Sequence, residues 1–237
     1  MTLQDNDPLI EKWISFLELE DIPIMINKID NNDDNGVCYV QFQASTPFLI
    51  QYPKHLSIWC TLHKLGYIHL AKESNKLDHL IKSHVSASRL NLQLESCIFD
   101  PIIERHFSMI DEEYKRNRVH FILHMDTKDY QKWINLDMDI TERIYTYITD
   151  YLYFLYVIPE VTKLIFNPII KHHLNITKQV ILDQTKKQGS TFTNDDFNIL
   201  DDFIINFEPI YNYDGIVYYY TQLKQILEKI SGSITWT

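Results

Sequence analysis

Residues 139–158, DITERIYTYITDYLYFLYVI, decide how the second half of this chain is read. Ile140, Ile144, Ile148, Tyr151, Leu152 and Leu155 recur at helical spacing and form one continuous apolar stripe. Glu142, Arg143, Thr146, Thr149 and Asp150 fall mostly off that stripe. Asp139, Thr141 and Glu142 make a helix start, and Pro159 stops or kinks the helix by removing a backbone donor. Tyr145, Tyr147, Tyr153 and Tyr156 lie around or beyond the stripe, so apolar character extends almost all round and predicts burial on two sides. Tyrosine combines a large apolar ring with a polar tip, which suits interfaces. These four tyrosines are therefore the candidate interaction surface. Neighbouring helices are the competing way to cover them.

Downstream of this stretch the spacing predicts helices over 160–187, 194–208 and 213–230, with a shorter one over 127–135. Thr193 followed by Asp196 makes a capping-box arrangement before the 194–208 segment. Upstream the pattern changes. Asp7-Pro8 opens a helix with Leu9, Ile10, Trp13, Ile14 and Leu17 on one face. Residues 24–43 read as a β-hairpin with a long polar loop that ends in Asn35-Gly36. Phe48–Tyr52 reads as a strand. Leu56, Ile58, Cys60 and Leu62 alternate as a further strand, although Leu56, Trp59 and Leu62 also fit a helix. A helix is expected over 74–85, a strand at Leu90, Leu92 and Leu94, and a helix from Asp100-Pro101 to Arg116. The last strand is expected at Val119, Phe121, Leu123 and Met125. The predicted class is α+β: a mixed or antiparallel sheet with helices in residues 1–126, then an all-helical region over 127–237. No Gly/Ser linker separates the two, so they are expected to pack as one unit.

Composition narrows the function. The net charge is −10 over 237 residues, and the basic runs KESNKLDHLIKSH and EEYKRNR are interspersed with acids. Bulk nucleic-acid binding is disfavoured, because it needs a basic surface that displaces counterions. A special nucleic-acid site would have to use Lys115, Arg116 and Arg118. Five glycines, with no GxGxxG or GxxxxGK[ST], leave no phosphate-cradling loop. Cys38, Cys60 and Cys97 are odd in number and widely spaced, which suits reduced thiols and not a zinc site or disulfide framework. No secretory signal or membrane span is expected, which points to a soluble, cytoplasmic protein. No cofactor is implied.

His120, His124 and Asp126 are the sharpest candidate metal ligands, since imidazoles and a carboxylate suit Zn or Fe(II). On the predicted strand they share a face. Same-face neighbours on a strand are about 7 Å apart, however, which puts His120 and His124 roughly twice that distance from each other. His172-His173 diverge around a helix, and His79 and His84 flank another. Asp195, Asp196, Asp201 and Asp202 follow DDxxxxDD, and a solvated helix face is the expected role of these acids. No GxSxG or catalytic cysteine context is present. The expected function is an intracellular protein-interaction or adaptor subunit without catalytic activity, bound to a protein partner or a second copy of itself. The alternative is an enzyme or small-molecule binder with a His/carboxylate pocket between helices.

Overall fold

The structure is a computed structural model that describes residues 2–3, 8–29, 39–41, 48–53, 58–77, 89–123, 140–157, 168–188 and 192–230. The described residues form four strands and eight α-helices, and they divide into two compact units. The first comprises residues 1–92 with 212–214, and the second 93–211 with 215–237. The chain is broadly α+β, with a far larger helical share than the alternating apolar patterns suggest.

The first unit holds the sheet. Its strands are β1 (Thr2–Leu3), β2 (Ile24–Ile29), β3 (Tyr39–Gln41) and β4 (Phe48–Pro53), in the order β1-β2-β4-β3. β1 and β4 run parallel to β2, with Ile26 opposite both Leu3 and Ile50, and only the β3–β4 pair is antiparallel. The hairpin expected over 24–43 does not form, because β4 inserts between its two arms. A two-residue turn pins a hairpin and its register. Residues 30–38 are too long a connection to do so, and β2 finds its longer apolar partner in β4.

Helix α1 (Pro8–Phe16) buries Ile10, Trp13 and Ile14. It closes in a Schellman motif: Leu19 N–H donates to Ile14 C=O at 2.9 Å and Glu18 N–H to Ser15 C=O at 3.0 Å. Glu18 sits there at φ 52°, the left-handed region that favours glycine. Lys72 Nζ braces the turn by donating to Glu18 C=O and, at 2.8 Å, to Asp21. Helix α2 (Ile58–Glu73) occupies the segment where a strand was expected over 56–62. Leu62, Leu65, Ile68, Leu70 and Ala71 are all buried, along with Tyr67. A helix covered nearly all round carries no clean 3.6-residue pattern, so a short apolar run within it mimics a strand. The helix ends in a second Schellman motif with Asn75 at φ 53° and Lys76 N–H donating to Ala71 C=O. The helix expected to begin at Ser74 therefore does not start there, and residues 78–88 lie outside the described residues.

From Arg89 every described element is helical. Helix α3 (Arg89–Ile110) absorbs the strand expected at 90–94 and runs straight through Asp100-Pro101. Pro101 has no N–H for the carbonyl of Cys97, which normally breaks a helix. Here Cys97, Ile98, Phe99, Ile102, Ile103 and Phe107 are all buried around it, and tertiary packing holds the helix together. Asp111 then caps α4 (Glu112–Leu123), its carboxylate accepting Tyr114 N–H at 2.7 Å. The strand expected at 119–125 is thereby replaced by helix as far as Leu123. Helices α5 (Ile140–Leu152), α6 (Pro168–Lys187), α7 (Asn194–Ile205) and α8 (Tyr213–Ile230) complete the chain. The predicted capping box is present at α7, where Asp196 accepts from both the Thr193 N–H and its hydroxyl, at 2.7 and 3.1 Å.

Candidate interaction surface

The stretch that opened the sequence reading forms α5 and, beyond it, a π-helical turn, Tyr153–Val157. Ile140, Ile144, Ile148 and Leu152 are buried as the stripe predicts, and so are Thr141, Arg143, Tyr145 and Tyr147 from off the stripe. α5 packs mainly against α6 and also meets α7. Two of the four candidate tyrosines, Tyr145 and Tyr147, retain only 6% and 1% of their surface, so helices of this chain cover them.

Tyr147 anchors a polar cluster. Its hydroxyl donates to Asp201 at 2.5 Å, and Lys178 donates to the other carboxylate oxygen at 2.5 Å. The same ammonium lies 5.4 Å from the Tyr147 ring centre and 5.3 Å from that of Phe197. Asp201 is thus the acceptor that joins three helices, a role different from the solvated face expected of the acidic run. Asp195 and Asp202 are exposed, and Asp196 is spent on the cap. Tyr153 and Tyr156 are half-buried. The Tyr156 hydroxyl hydrogen is shared between the carbonyls of Ile204 and Ile205, at 2.8 and 2.9 Å, and Arg105 donates to the Tyr156 carbonyl at 2.7 Å. These bonds satisfy carbonyls that the end of α7 and the π turn leave open.

Of the candidate metal ligands His120, His124 and Asp126, only His120 falls within the described residues. His120 lies on helix α4, whereas His124, Asp126, His79 and His84 lie outside the described residues. His173 is buried and His172 exposed, with ring centres 6.3 Å apart, as adjacent helical positions require. Burial pushes the His173 pKa down, and His172 beside it adds to the effect. Among the described residues no group of three or more His, Cys, Asp or Glu side chains is placed to hold a metal ion. Two groups near α5 titrate abnormally because they are desolvated. Asp150 is pushed up to about 7, and the buried Cys97 thiol up to about 12. Cys97 also accepts the Thr149 hydroxyl at 3.1 Å.

The exposed apolar residues lie elsewhere. Eight large hydrophobic residues among those described are strongly exposed; Met109 and Ile110 stand at the end of α3, Ile205 at the end of α7, Ile210 in the connection that follows, and Val217 and Tyr218 on α8. Aromatic contacts link the segments that carry them. The His106 imidazole stacks on Tyr211 with centres 3.7 Å apart and planes inclined by 11°, and Met109 and Ile110 follow His106 by three and four residues on α3. Tyr219 packs on Phe207 at 4.5 Å and against Tyr218 at 5.3 Å, while its hydroxyl accepts Glu208 N–H at 2.9 Å. The connection 206–211 is thereby held to the start of α8 and to the end of α3.

The sequence reading assigned the interaction surface to the tyrosines of 139–158 and did not single out these residues. Their signal is phase: Phe197, Leu200 and Ile204 are the buried stripe of α7, and Ile205 stands one residue off it. In α8 the buried positions Ile216, Leu223, Leu227 and Ile230 likewise leave Val217 and Tyr218 outside. Comparison with protein-family models, curated proteins and solved structures found no match, so the function is argued from this surface alone.

Proposed function

We propose that this protein is an interaction or adaptor subunit that binds a partner protein through the surface formed by Met109, Ile110, Ile205, Ile210, Val217 and Tyr218. What supports this reading is the exposure of six large hydrophobics on segments that the His106–Tyr211 and Phe207–Tyr219 ring contacts link. Scattered single apolar residues are ordinary on a protein surface, whereas a contiguous group marks a binding face. Tyr218, with 59% of its surface free, is the aromatic anchor of the kind that dominates interface energetics. Of the tyrosines first assigned to such a surface, Tyr145 and Tyr147 serve the interior, and the surface role passes to Tyr218.

The test compares affinity capture from source cells by the wild-type protein and by an Ile210→Ser/Tyr218→Ala variant. Both side chains are exposed, so the variant keeps its fold, which a thermal melt verifies. A partner captured by the wild type and lost by the variant is the expected result. Identical capture by both baits, together with identical sedimentation, overturns the reading.

A further inference from the structure

We draw no further inference here: the strongest candidate, the desolvated Asp150 carboxyl on α5 near Cys97 of α3, rests on its raised pKa alone, and nothing among the described residues shows a ligand that it would hold.

Discussion

Tyr147 and Asp201, 54 residues apart in the chain, share a 2.5 Å hydrogen bond from phenol to carboxylate, and Lys178 completes the carboxylate from the other side. The bond fastens α5 to α7, and Lys178 brings in α6. Hydrogen bonds to charged acceptors contribute about 1.5–3 kcal/mol. Tyr147→Phe keeps the ring packed against Phe197, whose centre is 5.2 Å away, and removes only the donor. Urea unfolding should show a loss within that range. A double-mutant cycle with Asp201→Asn should show the two losses to be non-additive. Additive losses would mean that the two groups do not interact.

Asp150 gives the fold a pH dependence of definite sign. Its carboxyl is held near 7 in the native state by desolvation, against 3.8 for the ordinary group. Between those values the native state holds a proton that the unfolded chain releases, so stability falls as pH rises from about 4 to about 7 and then levels. Asp150→Asn removes that loss. The variant should be more stable than wild type at pH 8, and the gap should close on acidification towards pH 4. Chemical denaturation at the two pH values checks it, and a constant gap would refute the assignment.

Glu18 and Asn75 occupy equivalent left-handed positions at the ends of α1 and α2. Asparagine tolerates this conformation far better than glutamate does. Glu18→Gly should therefore raise stability by about 0.5–1 kcal/mol, and Asn75→Gly by less. The brace from Lys72 to the residue-18 carbonyl survives either change, since it uses the backbone. Thermal melts of the two variants compare them directly.

Cys97 is fully enclosed and its thiol is pushed up to about 12. The thiolate is the reactive form, so native Cys97 should resist alkylation at pH 8. Iodoacetamide labelling read by mass spectrometry at this residue should proceed only as fast as the protein opens, and should rise sharply in denaturant.

Long helices with an apolar stripe and a marked start were legible in the sequence. The α7 capping box and the bounds of α8 follow from Thr193, Asp196 and the spacing that ends at Ile230. Three strands expected at 56–62, 90–94 and 119–125 are helix wherever the structure describes them. Each is a short apolar run whose alternation is compatible with a helix buried on several sides, and periodicity alone does not separate the two. Pro101 misled for a related reason: local preference marks it as a helix opening, but buried neighbours on both sides keep α3 continuous.

What the sequence by itself determined is the helical phase of the C-terminal region, the acidic balance, and the absence of the common nucleotide-binding signatures. The tertiary structure decided which strand pairs with which, because parallel β2–β4 pairing joins residues separated by a long connection. It also decided the fate of the 139–158 stretch. A tyrosine rich in apolar area serves an interior or an interface equally well, and only the packing of other helices around α5 commits Tyr145 and Tyr147 to the interior. The exposed group around Tyr218 depends in the same way on the His106–Tyr211 and Phe207–Tyr219 contacts. The first of these brings together residues more than a hundred positions apart, a distance over which local spacing carries no information.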